Sequence, residues 1–124
     1  MNNLNSILIE GNIVRDPECR TTPKGTAVCT FSIASNRFYH EGDALETEVG
    51  FFDIEAWGKL ATQVSGYGHK GQGVRVIGRL KQDRWQDTEG KQHSRIVVVG
   101  EHVEIQPERS TEPAREPDIE IIER

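Results

Sequence analysis

Phe51-Phe52-Asp53-Ile54-Glu55-Ala56-Trp57-Gly58-Lys59-Leu60-Ala61-Thr62-Gln63-Val64-Ser65-Gly66-Tyr67-Gly68 changes its hydrophobic period once, at Gly58. Up to Trp57 it alternates by two. Phe52, Ile54 and Ala56 fall on one side and Phe51, Asp53, Glu55 and Trp57 on the other, the pattern of a half-buried strand. Beyond Gly58, Leu60, Ala61, Val64 and Tyr67 share a stripe, which predicts a short helix over Lys59 to Tyr67, ended by Gly66 and Gly68. Helical periodicity appears nowhere else in the first hundred residues, so this helix is expected to have strands on both sides.

Working outward, Leu4 to Val14 reads as a first strand, with Ile7, Ile9 and Ile13 on one side and Gly11 marking a bend or bulge. Asp16-Pro17 breaks it, and Thr22-Pro23-Lys24-Gly25 is turn chemistry. A second strand follows from Thr26 to about Tyr39, then a polar turn or flexible loop at His40-Glu41-Gly42-Asp43, then the third strand from about Thr47 to Trp57. Val74 to Trp85 is a fourth strand with a bend at Gly78. Asp87-Thr88-Glu89-Gly90-Lys91 is a hairpin turn, and Arg95 to Ile105 is the fifth strand. The expected class is all-β with one short helix. Five strands with the helix between the third and fourth are the element order of an OB-fold, a small Greek-key barrel whose open face binds oligonucleotides or oligosaccharides.

With 124 residues the chain has room for one real core. Its net charge is -5, but residues 1 to 105 hold 12 Lys/Arg against 14 Asp/Glu, whereas residues 106 to 124 hold 3 against 6. The body is therefore near neutral, and a local basic groove is compatible with an acidic total. The expected division is a folded domain over 1-105 and a disordered acidic tail over 106-124, where Pro107, Pro113 and Pro117 punctuate a Glu-, Arg-, Ser- and Thr-rich run. Ile119, Ile121 and Ile122 near its end are either incidental or a docking tip for a partner. No apolar stretch approaches the roughly 20 residues of a membrane-spanning helix. The opening Met1-Asn2-Asn3-Leu4-Asn5-Ser6 has no basic segment leading into an apolar run, so a cytoplasmic location is expected. Cys19 and Cys29 lack Cys-x-x-Cys spacing, and Cys29 alternates with Ala27, Phe31 and Ile33 as a small buried hydrophobe. His40, His69, His93 and His102 show no ligand spacing, so no metal or cofactor is assigned.

The residues that could carry chemistry are aromatics beside cations. Trp57 precedes Lys59, and Trp85 ends a run containing Arg79, Lys81 and Arg84. Single-stranded nucleic acid offers each base a flat face to stack and each phosphate a charge to neutralise, with stacking worth roughly 1 to 3 kcal/mol per base. Phe51 and Trp57, on one side of one strand, are either such platforms or are covered by a loop or a subunit contact. Lys59, Lys70, Arg79, Lys81 and Arg84 are the candidate phosphate contacts, although a charge-rich strand can also simply be solvated. Asp53 and Glu55 oppose this reading, because they share the face of Phe51 and Trp57 and raise the cost of a nearby phosphate. They are also the one paired-carboxylate site, but no His or Lys neighbouring in sequence completes an acid-base constellation, so the chain is not read as an enzyme.

These features together resemble a known family. Gly11-Asn12, then Asp16-Pro17-Glu18-x-Arg20-x-Thr22-Pro23-x-Gly25, Phe31-Ser32-Ile33-Ala34 with Asn36-Arg37, Trp57-Gly58-Lys59-Leu60-Ala61, Lys70-Gly71, and Gly78-Arg79-Leu80 running to Trp85 with Asp87 and Gly90 resemble the bacterial single-stranded DNA-binding proteins over about residues 2 to 105. The resemblance implies an OB-fold that coats and protects single-stranded DNA without sequence preference during replication, recombination and repair. It implies stacking aromatics at Phe51, Trp57, Trp85 and Tyr39, a homotetramer, a nucleoid-associated location, and replication or repair proteins as partners of the tail. The tail departs from the family pattern, since it is short and ends in Asp118-Ile119-Glu120-Ile121-Ile122-Glu123-Arg124. The competing expectation is an OB-fold accessory protein whose ligand is RNA or a primosome-type partner.

Overall fold

The structure is a computed structural model, and it describes residues 1-107. Residues 108 to 124 lie outside the described residues, and with them the docking tip expected at Ile119, Ile121 and Ile122 and nearly all of the expected tail. The elements are β1 (Ile7–Ile13), β2 (Glu18–Thr21), β3 (Ala27–Glu41), β4 (Ala44–Trp57), α1 (Lys59–Tyr67), β5 (Gly73–Gln86) and β6 (Gln92–Ile105). The hydrogen-bonded order β1-β5-β6-β4-β3 closes on itself because β1 pairs with β5 along Ile7 to Asn12 and with β3 at Asn12 and Ile13. This is the five-stranded OB-type barrel with its helix after the third long strand.

Closure depends on two backbone approaches that only glycine permits. Where β1 changes partner, a Cβ at Gly11 would lie 2.5 Å from the Ala34 carbonyl oxygen. At the β5–β6 register shift between Ile77 and Gly78, a Cβ at Gly78 would lie 2.1 Å from the Val99 carbonyl oxygen. The bend read at Gly78 is therefore present as that register shift, whereas β1 keeps one register with β5 through Gly11, which serves a close backbone approach and not a bulge. Inside, Phe31, Ile33, Ile54, Ala56, Val76, Val98 and Val103 form the buried core. Helix α1 closes one end by inserting Ala61 and Val64 into that core. The helix has the predicted bounds. Its start is fixed by Gly58, which has positive φ and whose N–H donates to Ala27 O at 2.8 Å, so the chain leaves β4 and turns directly into the helix.

Several expectations change. A sixth strand, β2, lies where the sequence showed only a break and a turn, because Glu18 to Thr21 are all exposed and carry no apolar alternation. It is held by pairing with Ala27 to Thr30 of β3. Cys19 and Cys29 face each other in that ladder and form a disulfide, so Cys29 is a buried half-cystine and not the free hydrophobic thiol expected. Of the polar turn or flexible loop expected at His40 to Asp43, the structure has the turn, shortened to Gly42-Asp43 because β3 and β4 continue as a paired ribbon to Glu41 and Ala44. Phe52, expected inside, is 40% exposed because it lies where β4 runs beyond the barrel, its ring against Gly50. Glu55, expected outside, is 8% exposed. Among the described residues no helix is long and apolar enough to cross a membrane.

Candidate nucleic-acid interface

Strand parity and register assemble one outer face from β4, β5 and β6. On β4 it carries Phe51, Asp53, Glu55 and Trp57, and on β5 it carries Lys81, Asp83 and Trp85. Opposite them, β6 contributes His93 (paired with Trp85), Arg95 (paired with Asp83) and the small side chains Val97 and Val99. Phe51 is 67%, Trp57 39% and Trp85 47% exposed, so three aromatic rings border this face with large solvent-facing areas.

Between the two tryptophans lies a lattice of ion pairs. Glu55 Oε1 accepts hydrogen bonds from Trp57 Nε1 at 3.2 Å and from Lys81 Nζ at 3.1 Å, and Lys81 Nζ also lies 3.3 Å from Asp83 Oδ1. The Lys81–Glu55 bridge crosses β6 at Val97 and Val99, which are buried although their parity points them out of the barrel. Hydrogen bonding to Glu55 is the main reason the Lys81 ammonium is held above its ordinary pKa, with partial burial opposing it. Arg95 spans the remaining acids, with Nη1 3.8 Å from Asp53 Oδ2 and Nε 3.8 Å from Asp83 Oδ2. Asp53 also accepts a 2.6 Å hydrogen bond from the Ser32 hydroxyl. The carboxylates that opposed a phosphate-binding reading are thus already paired with cations. The lattice holds three carboxylates, Asp53, Glu55 and Asp83, against two cations, Lys81 and Arg95, a net charge of -1, and its Lys and Arg can exchange partners.

At the hairpin end, the Trp85 indole stacks on the His93 imidazole, with centroids 5.5 Å apart and planes 19° from parallel. His93 Nε2 lies 2.9 Å from Asp87 Oδ2, and Asp87 Oδ1 accepts the backbone N–H groups of Glu89 and Lys91, both at 2.9 Å. The hydrogen bond from His93 leads the causes that hold the Asp87 carboxyl below its ordinary range, and the turn amides add to it.

The other sequence-selected residues are spread more widely. Arg84 leaves β5 on the side opposite Trp85 and donates to Gln82 at 2.8 Å. Arg79 is on the outer face, 3.9 Å from Glu101 Oε2. Lys59 is exposed at the first position of α1. Lys70 is exposed in the following turn, where its backbone N–H donates to Asp16 Oδ1 at 2.8 Å. Tyr39 lies on the projecting β3–β4 ribbon, with the Arg37 guanidinium 4.9 Å from its ring centroid. It pairs with Glu46 and so points to the side of that ribbon opposite Phe51. His93 and Arg95 were missed from the sequence, although counting back across the Asp87-to-Lys91 turn places them opposite Trp85 and Asp83. Among the described residues no group of three or more His, Cys, Asp or Glu side chains could hold a metal ion.

A family model described as the single-strand binding protein family matches residues 4–106. A single-stranded DNA-binding protein of Treponema pallidum is 38% identical over 105 residues, covering 85% of this chain and 59% of that protein, so the chain spans about three fifths of that relative's length. Another of the same name from Aquifex aeolicus is 37% identical over 103 residues, covering 82% of this chain and 69% of the relative. Among solved structures, a Plasmodium falciparum SSB complex with ssDNA superposes with TM-score 0.78 over 86% of this chain and 98% of that one, at 20% identity, a likeness of fold.

Proposed function

Because the chain belongs to the single-strand binding protein family, we propose that it binds single-stranded DNA without sequence preference and protects it during replication, recombination and repair. The observation that carries this reading is the outer face on which Phe51, Trp57 and Trp85 surround an ion lattice of Asp53, Glu55, Lys81, Asp83 and Arg95. Bases stack on the rings, and phosphates take the cations in exchange for the carboxylates. Tyr39, braced by Arg37 on the other side of the ribbon, and Arg84, on the other side of β5, engage the strand where it passes around the ribbon and the hairpin, and Lys59, Lys70 and Arg79 supply further phosphate contacts. The protein's role is binding and not catalysis, in the cytoplasm at the nucleoid. Residues 1-105 form the binding domain and 106-124 an acidic tail that docks replication and repair proteins.

The assembly is a homotetramer. Leu8 and Ile77, paired across β1 and β5, are 65% and 39% exposed and lie beside the Glu10–Arg75–Glu104 ion cluster, an apolar patch rimmed by charge such as a subunit contact covers. Titration with oligo-dT tests the function. Tryptophan emission falls steeply to a plateau, and matched RNA competes poorly. Unchanged emission at saturating DNA together with no gel shift would refute the reading, and RNA competing better than DNA would replace it with the RNA-binding one. Light scattering on the same sample counts the subunits.

A further inference from the structure

We propose that His93 is a positioning residue of the single-strand site, fixing the plane of Trp85 from behind and, once protonated, placing a positive charge at the edge of that platform. The inference rests on the DNA-binding reading of this face. Trp85 closes a strand next to a hairpin turn and is 47% exposed, so an unsupported indole there would sample several rotamers that a stacked base must freeze. The His93 ring takes that freedom away. It is the cross-strand partner of Trp85 and lies nearly parallel to it at 5.5 Å, covering one indole face and leaving the other to a base.

The imidazole is itself held from behind. Its Nε2 carries the proton donated to Asp87, and Asp87 is tied to the turn by the N–H groups of Glu89 and Lys91. The charged groups around the ring are Asp87 and Glu89 in the turn, Lys91 and Arg95 along β6, and Lys81 and Asp83 on β5. Asp87 is in contact. The others lie one strand position or more away, and Asp83 is shared by Lys81 and Arg95. A second proton enters at Nδ1, the nitrogen that does not face Asp87, and turns the layer beneath the indole into a cation. A cation within about 6 Å of an indole centroid is attracted by the ring. On the DNA-binding reading, that charge is available to a phosphate of a strand whose base stacks on Trp85.

The test is a set of oligo-dT titrations at about pH 5.5 and about pH 8. In the wild-type protein, affinity is expected to rise about 3- to 10-fold at the lower pH, and the log-log salt slope to steepen by about 0.7, the increment for one further phosphate neutralised on a single strand. His93→Phe keeps a ring against Trp85 but takes no proton, and so loses most of the affinity difference between the two pH values. His40, His69 and His102 remain in that variant as internal controls. His93→Gln keeps a donor for Asp87 without the stack, and binds more weakly at both. An undiminished pH difference in His93→Phe, or wild-type affinity in His93→Gln, would overturn the role of His93 while leaving the DNA-binding reading intact. Absence of binding by the wild-type protein at both pH values would remove that reading, and this inference with it.

Discussion

Glu55→Gln should tighten DNA binding although it removes a buried, hydrogen-bonded side chain from the centre of the face. In the native protein Glu55 Oε1 engages both Lys81 Nζ and Trp57 Nε1. The amide oxygen of Gln can still accept from the indole, so Trp57 keeps its orientation, while Lys81 retains Asp83 alone. For a phosphate passing at about 6 Å, removal of one like charge relieves roughly 0.7 kcal/mol in a water-like dielectric, a factor of about 3 in affinity. Counterion release gives a second estimate: one more exchangeable cation steepens the salt slope by about 0.7, or roughly 2.5-fold in affinity between 50 and 200 mM salt. The stability cost stays near ~1 kcal/mol, because Lys81 is part-exposed and the substitution also removes a carboxylate that was expensive to bury. Fluorescence titrations with oligo-dT over that salt range, with urea melts of the same samples, measure both. Weaker binding with an unchanged slope in a protein of near-native stability would refute the reasoning, and would mean that Glu55 serves the site by positioning Trp57.

Reduction of Cys19–Cys29, or a Cys19→Ser/Cys29→Ser pair, should destabilise the domain by at most about 3 kcal/mol, the loop-closure value for a separation of 10 residues. Because β2 is wholly exposed and can fray locally, the loss of Tm should be nearer 10 °C than 20 °C at about 4 to 8 °C per kcal/mol; an unchanged calorimetric Tm with and without reductant would contradict this. Gly78→Ala drives a Cβ into the Val99 carbonyl at the register shift, and a loss of more than about 3 kcal/mol in urea melts is expected; a melt within error of wild type would show that the bulge relaxes freely. The Asp87 carboxyl has its folded-state pKa depressed, first by His93 and then by the turn amides, so its contribution is fully present above the unfolded carboxylate pKa and is lost as pH falls through the folded one. Amide exchange at Glu89 and Lys91 should therefore speed up on acidification in the wild-type protein relative to the pH trend of Asp87→Asn, and parallel trends in the two would remove Asp87 as the cause.

The strand-to-helix change at Gly58 could be read from the chain because parity and period are local properties, set by a few consecutive residues. The same locality put Phe51 and Trp57 on one side of β4 and placed the bend at Gly78. The disulfide and β2 could not be read in this way. Glu18-Cys19-Arg20-Thr21 has no apolar pattern, and the pairing of Cys19 with Cys29 follows from a register set by the Thr22-to-Gly25 turn, closed by Thr22 N to Thr26 O and Gly25 N to Thr22 O, both at 2.8 Å. The site divides along the same line. That aromatics and cations alternate along two strands was already in the sequence, and so was the worry that Asp53 and Glu55 share their face. Barrel closure alone decided that those acids are paired with cations, because it lays β6 between β4 and β5. The small side chains of Val97 and Val99 then let Lys81 reach Glu55 across them, while Arg95 and His93 arrive opposite Asp83 and Trp85. Alternation along a strand determines which way a side chain points, but charge compensation depends on which strands become neighbours, and that is a property of the closed sheet.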